Sequence, residues 1–175
     1  MSNQQIISDW FHDYSDDIYH FLIYRMGSTD VEDLVQEVFI SAIKGLDSFR
    51  GNAQPKTWLF SIARNVAVDE LRKRSRNKWK SYLTFDVNQE PVTEETPDTL
   101  FQTSEENQKL YEAIQSLKSN YRDVVILRGI QDLSVTETSS ILNWSENKVR
   151  STYHRAKKVL QKQLEPELGG VFSEK

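Results

Sequence analysis

No cysteine occurs among the 175 residues, so neither a disulfide framework nor a thiolate metal site is available, and the redox compartment stays open. Long apolar runs are missing too. None approaches the roughly 20 residues that a membrane-crossing helix needs, and the N-terminus lacks the basic-then-apolar layout of a secretory signal. A soluble, cytoplasmic protein is the expectation. Histidine is scarce, with three copies. The acidic group Asp30, Glu32, Asp33 and Glu37 has no His or Cys partner at ligand spacing, which favours a solvated helix face over a metal site. No nucleophile stands beside a recognisable base, so no catalytic residue is assigned, no cofactor is expected and the chain is read as a non-enzyme. At 38% hydrophobic residues it is lean for one large core, and two small helical domains fit the composition better.

What the chain does have is charge sorted into blocks beneath a net value of -4. Residues 1–48 hold 2 basic and 9 acidic side chains, and residues 49–80 hold 9 basic and 2 acidic. Residues 81–112 return to 1 basic against 8 acidic, residues 113–160 carry 8 against 4, and the tail from 161 carries 2 against 3. Two basic blocks, each beside an acidic one, imply two nucleic-acid contacts in one chain and acidic faces that serve something else.

The second basic block contains the most specific local signal, LSVTETSSILNWSENKVRSTYHRAKKVL at 133–160. Ser134 followed three residues later by Glu137 is a capping box, in which each side chain satisfies a free backbone N–H at a helix start. Ile141 and Leu142 end the apolar pattern of that helix, and Asn143 tolerates the left-handed conformation needed just past a helix end. Trp144 and Ser145 make a turn, after which Val149, Thr152, Tyr153, Ala156 and Leu160 recur at helical spacing as a buried stripe. The opposite face carries Lys148, Ser151, His154, Arg155 and Lys158, flanked by Arg150 and Lys157. These residues donate to phosphates and to base edges in a major groove, so the segment reads as a helix-turn-helix on duplex DNA. The competing reading is a plain helical hairpin with a solvated basic face.

The first basic block is KTWLFSIARNVAVDELRKRSRNKWK at 56–80. Trp58, Leu59, Ile62, Val66 and Leu71 supply a buried face, while Arg64, Arg72, Lys73, Arg74, Arg76, Lys78 and Lys80 form a phosphate-binding strip. Upstream, the loop from Phe49 to Lys56 includes Arg50 and Asn52, and its Gly, Pro and Asn content resists regular structure. Rings, amides and cations beside a basic helix are materials for holding an unstacked base. The plainer alternative is that Phe49, Trp58 and Phe60 are core. Ahead of this block, Thr29 and Glu32 have capping-box spacing, and Val31, Leu34, Val35, Val38 and Ala42 make an apolar stripe. Glu32, Asp33, Gln36 and Glu37 then face outward together. That is either a solvated face or a surface for a protein partner with a basic groove.

Periodicity predicts helices over Ile6 to Met26, Val31 to Leu46, Thr57 to Arg76, Glu105 to Leu117 and Arg122 to Ile130, followed by the helix-turn-helix, with no strand pattern. From Leu83 to Ser104 periodicity is lost and Pro91 and Pro97 prevent continuous helix. The predicted architecture is all-α: a helical domain at 1–80, a flexible acidic linker at 81–104, a second helical domain at 105–165 and a tail at 166–175.

Three stretches together, EDLVQEVFISA (32–42), KTWLFSIARNVAVDELRKR (56–74) and YRDVVILRGIQDLSVTETSSILNWSENKVRSTYHRAKKVL (121–160), resemble the signature segments of bacterial extracytoplasmic-function sigma factors of the sigma-70 family. They occur in the right order, with the expected linker between. The resemblance implies that Asp33, Leu34, Val35, Gln36, Glu37 and Val38 belong to the element that docks on core RNA polymerase. It implies that Phe49, Arg50, Asn52, Lys56, Trp58, Arg64, Asn65, Arg72 and Arg74 melt and read the promoter -10 element. It assigns Lys148, Arg150, Ser151, His154, Arg155 and Lys158 to the -35 element. Asp86, Glu90, Glu94, Glu95 and Asp98 of the linker suit a path through the polymerase near the RNA. The implied partners are core RNA polymerase through its beta-prime clamp helices and beta flap, promoter DNA and a cognate anti-sigma factor, often membrane-bound in this family and answering to stress. No small-molecule substrate and no direct membrane insertion are implied. The alternative function is a helix-turn-helix repressor or activator, which needs neither the basic aromatic segment nor the linker and usually dimerises on a palindrome. Thr138, Ser139, Asn143 and Gly129 depart from the common family pattern, the first two in a way that loosens the small domain.

Overall fold

The computed structural model describes residues 2–49, 51, 53–83 and 105–164, and every regular element among them is helical. The fold is all-α in two helical halves. Arg50, Asn52, the linker acids Asp86, Glu90, Glu94, Glu95 and Asp98, and the tail at 166–175 lie outside the described residues.

The first half is three helices. Helix α1 (Asn3–Met26) starts three residues earlier than periodicity predicts because Ser2 caps it, accepting from the Gln5 N–H, and it ends at Gly27 in the left-handed conformation (φ 72°). Helix α2 (Glu32–Gly45) is followed by a 3₁₀ turn, Leu46–Ser48. The capping box expected from Thr29 and Glu32 does not form: the helix begins after Val31 with no side-chain cap. Val31 is fully buried, so packing decides where the chain enters α2, and Glu32 and Asp33 lie in the first turn where the helix dipole favours negative charge. Helix α3 (Pro55–Leu83) is longer than expected at both ends. Proline at its first position loses no hydrogen bond there. Phe21, Leu22, Val38, Leu59, Phe60 and Ala63 fill the space between the three helices.

The second half comprises α4 (Glu105–Gln115), α5 (Ser119–Val125), a π-helical turn (Ile126–Ile130), α6 (Val135–Leu142) and α7 (Glu146–Leu164). Ile114, Val124, Ile126, Leu127, Val149 and Leu160 are its buried centre.

The halves pack directly on one another. Helix α3 lies against α6, and α1 lies against α4 and the π-helical turn. Arg25 on α1 and Asp123 on α5 form the central contact, with Arg25 Nε donating to Asp123 Oδ1 at 2.6 Å and side chains 4% and 2% exposed. Around it, Arg25 Nη2 donates to Ser119 Oγ at 2.8 Å, Gln115 Nε2 to the Tyr24 carbonyl at 2.6 Å, and Thr57 Oγ1 to Glu137 Oε2 at 3.3 Å. The rings of Tyr24 and Tyr111 meet at 5.5 Å. Gly27 is required here twice over, since a Cβ would sit 2.7 Å from Gln115 Oε1 and its positive φ disfavours any L side chain.

Candidate nucleic-acid and partner interfaces

Helix α6 opens on the predicted capping box: the Glu137 N–H donates to Ser134 Oγ at 3.0 Å and the Ser134 N–H to Glu137 Oε1 at 3.2 Å. It closes on Asn143 in the left-handed conformation, whose N–H reaches the Ser139 carbonyl. Ser145 then receives the Lys148 N–H at 3.1 Å, and Thr136 Oγ1 donates to Glu146 Oε1 at 2.6 Å, tying the two helices across the turn. Val149, Thr152, Ala156 and Leu160 are buried, and Tyr153 is half-buried. Burial raises the Tyr153 phenol above its usual pKa, with Arg128 lowering it and Asp132 raising it further.

The register of α7 leaves Lys148, Arg150, Ser151, His154, Arg155 and Lys158 all exposed. Three of them have local partners, among them Ser151, whose Oγ donates to the Lys148 carbonyl at 3.3 Å. Lys148 lies 4.3 Å from the Trp144 ring centroid, and Arg150 is 3.7 Å from Glu146 one turn back and donates to Asn147 at 3.3 Å. Exposed pairs of this kind are worth under about 1 kcal/mol and yield readily to a phosphate. The departures at Thr138 and Ser139 have separate outcomes. Ser139 Oγ donates to the Trp144 carbonyl at 2.6 Å and so helps the turn, whereas Thr138 is fully buried with its hydroxyl unpartnered.

The aromatic residues ahead of α3 form a cluster. Phe49 meets Trp10 at 5.5 Å and Trp58 at 4.8 Å, and Trp10 meets Trp58 at 5.9 Å. Gly45 makes room for the indole, because a Cβ there would stand 3.3 Å from Trp58. Phe49 and Trp58 are half-buried in this cluster and Phe60 is fully buried, so the core reading holds entirely for Phe60 and partly for the other two. Lys56 Nζ is 3.4 Å from Asp17, and Arg74 pairs with Glu70 at 3.1 Å. Asn65 and Arg72 are exposed, and from Arg72 to Lys80 every residue of α3 is.

On α2, Asp33, Gln36 and Glu37 are exposed while Leu34, Val35 and Val38 are buried beneath them, so one acidic face rests on an apolar one. Ile40 and Ile43 are each 51% exposed on the same helix.

Sequence reasoning missed the contact between the halves. Arg64, assigned to DNA, points its guanidinium toward Asp123, with Nε 3.7 Å from Oδ2. Arg64 and Arg72 thereby line a cleft between α3 and the second half together with Arg25, Ser119 and Arg122. The available signals were single charges set against apolar runs, Arg25 in FLIYRM and Asp123 before VVIL. Such charges are retained inside proteins when they are paired.

Residues 10–77 match the family described as Sigma-70 region 2, and residues 107–160 match Sigma-70, region 4. The ECF RNA polymerase sigma factor SigX of Bacillus subtilis is 38% identical over 164 residues, covering 92% of this chain and 83% of that protein. The ECF sigma factor SigW of the same organism is 31% identical, covering 93% and 90%. Among solved structures, the sigma factor RpoE in complex with the anti-sigma factor NepR from Bartonella quintana superposes with a TM-score of 0.73 at 26% identity, covering 91% of this chain and 97% of that one.

Proposed function

The chain belongs to the sigma-70 family, in its extracytoplasmic-function group, and on that premise we propose that it binds core RNA polymerase through the α2 face, opens the promoter -10 element with α3 and reads the -35 element with α7. What carries the reading is the coexistence on one chain of an acidic partner face, a basic helix and a helix-turn-helix with six exposed polar and basic side chains on its second helix. Asp33, Gln36 and Glu37 make the polar contacts to polymerase, positioned by Leu34, Val35 and Val38. Phe49, Arg50, Asn52, Lys56, Trp58, Arg64, Asn65, Arg72 and Arg74 engage the -10 element. Lys148, Arg150, Ser151, His154, Arg155 and Lys158 engage the -35 element, the cations giving affinity and the hydroxyl and imidazole contributing to base readout. Domain 2 spans 1–80 and domain 4 spans 105–165 in this proposal, and the protein works in the cytoplasm.

The contact between the halves adds a step. In this family the two promoter elements lie about 25 base pairs apart, or roughly 85 Å at about 3.4 Å per step. A compact chain of 175 residues has a radius of gyration of only about 16 Å. Promoter binding at both ends therefore requires the halves to separate, and the 21 residues between Leu83 and Glu105 reach at most about 70 Å when extended. Domain widths supply the remainder. The match to a sigma factor solved with an anti-sigma factor supports regulation by a partner of that kind.

Reconstituted transcription tests the proposal. Purified protein plus core polymerase is expected to start RNA from cognate promoter fragments, and the double substitution Asp33→Lys with Glu37→Lys is expected to weaken polymerase association while leaving -35 duplex binding unchanged. Absence of any transcript, together with tight binding of the protein alone to a palindrome, would establish the repressor reading instead.

A further inference from the structure

Four arginines from both halves converge on one cleft of about 530 Å³: Arg25 on α1, Arg64 and Arg72 on α3, and Arg122 on α5, with the hydroxyls of Ser75 and Ser119 beside them. The volume falls within the roughly 300–1,000 Å³ typical of small-ligand sites. The carboxylate among these cations is Asp123, which is already bound to Arg25 at 2.6 Å and lies 3.7 Å from Arg64. Among the described residues, the cluster thus keeps an excess of three positive charges. Two of its donors make no hydrogen bond: Arg64 Nε, held only by its 3.7 Å ion pair with Asp123, and Arg122 Nε, both buried. Arg122 otherwise donates to the carbonyls of Gln115 at 2.6 Å, Leu117 at 3.1 Å and, across the halves, Arg25 at 3.4 Å, which fixes its guanidinium beside the cleft. Its pKa is lowered first by burial and then by the neighbouring charge of Arg25, a repulsion that an anion would relieve. Ser119 Oγ accepts from Arg25 at 2.8 Å, which leaves its own proton free to donate.

We propose that this cleft is a binding site for a phosphate chain of two or more phosphoryl groups, either inorganic polyphosphate or the phosphate tail of a nucleoside triphosphate. Planar guanidinium forks match phosphoryl oxygens in geometry and stay charged, and three excess positive charges complement a chain of that length. Ser119 and Arg122 of the second half meet Arg25, Arg64 and Arg72 of the first only when the halves are packed together, so the ligand holds the closed form. At ten times its dissociation constant it raises the ratio of closed to open protein about elevenfold. If Arg64 and Arg72 also serve the -10 element, as proposed above, ligand and promoter compete for them.

The test is calorimetric titration and thermal melting of the full chain with sodium tripolyphosphate, with GTP, and with sodium sulfate at matched ionic strength. Saturable 1:1 binding of tripolyphosphate and a raised melting temperature that sulfate does not reproduce are expected. Equal affinity for GTP would mean that the phosphate chain alone is recognised, and tighter GTP binding would add contacts to the nucleoside; both sustain the site. Ser75→Asp places a carboxylate in the cleft from an exposed helix position, and Arg122→Gln removes one fork. Each is expected to weaken binding at least tenfold with far-ultraviolet circular dichroism unchanged, and Ser75→Asp decides the matter if Arg122→Gln does not fold. Binding no stronger than that of sulfate, or undiminished in Ser75→Asp, would overturn the inference. Because no DNA or polymerase is present, that outcome leaves the sigma-factor reading untouched.

Discussion

Replacing Asp123 with alanine removes one member of the ion pair that joins the two halves, and its effect should fall mainly on their closure. The pair is short at 2.6 Å, with side chains 4% and 2% exposed. Breaking a buried pair by deleting one partner typically costs about 3–5 kcal/mol, because the survivor is left charged and unsolvated. The survivor here is Arg25, which sits at the contact surface of α1. Opening the halves returns it to water, so the penalty applies to the closed form and is relieved in the open one. At about 1.4 kcal/mol per tenfold change, the closed-to-open ratio should fall by roughly two to three and a half orders of magnitude. The absence of cysteine makes the measurement direct: cysteines introduced at exposed Lys44 on α2 and Lys162 on α7 take a dye pair for single-molecule energy transfer. The variant is expected to lose the high-transfer population while keeping its helical circular dichroism. Unchanged transfer in a folded Asp123→Ala protein would refute the argument that this pair governs closure.

Three further outcomes follow from local geometry. Gly27→Ala should lower stability by at least about 1–2 kcal/mol, the usual penalty for a left-handed L residue, with the contact of its Cβ at 2.7 Å from Gln115 Oε1 added; a thermal midpoint equal to that of the parent would disprove it. Thr138→Val deletes a fully buried, unpartnered hydroxyl, and relief of a desolvation penalty of about 1–3 kcal/mol should raise the urea midpoint, whereas a fall would show that the hydroxyl is satisfied. Lys158→Ala on the exposed face of α7 should reduce the salt dependence of -35 duplex binding by about one phosphate contact. An unaltered slope would remove Lys158 from the interface.

Most features that depend on neighbours in sequence were legible in the chain alone. The helix-turn-helix is the clearest case. Its capping box at Ser134 and Glu137, its left-handed Asn143 and the exposed register of α7 arise from hydrogen bonds and side-chain periodicity within a few residues. The acidic face of α2 above Leu34, Val35 and Val38 was legible for the same reason. The Thr29 capping box was not formed although its spacing was correct, because burial of Val31 in the tertiary core decided where α2 begins. The cluster of Trp10, Phe49 and Trp58 was likewise visible only in part, since Trp10 reaches the other two rings from a distant helix.

The sequence by itself determined that this protein is all-α, which faces of its helices are acidic or basic, and where the helix-turn-helix lies. The tertiary structure decided what those faces meet. Arg25 and Asp123 are 98 residues apart and only folding brings them to 2.6 Å. Arg64 Nε lies 3.7 Å from the same carboxylate, and the guanidiniums of Arg25, Arg64, Arg72 and Arg122 line one cleft there. No period or motif encodes such a contact, because it depends on two charges distant in sequence meeting at short range in the interior, where their attraction has to offset the cost of taking both out of water.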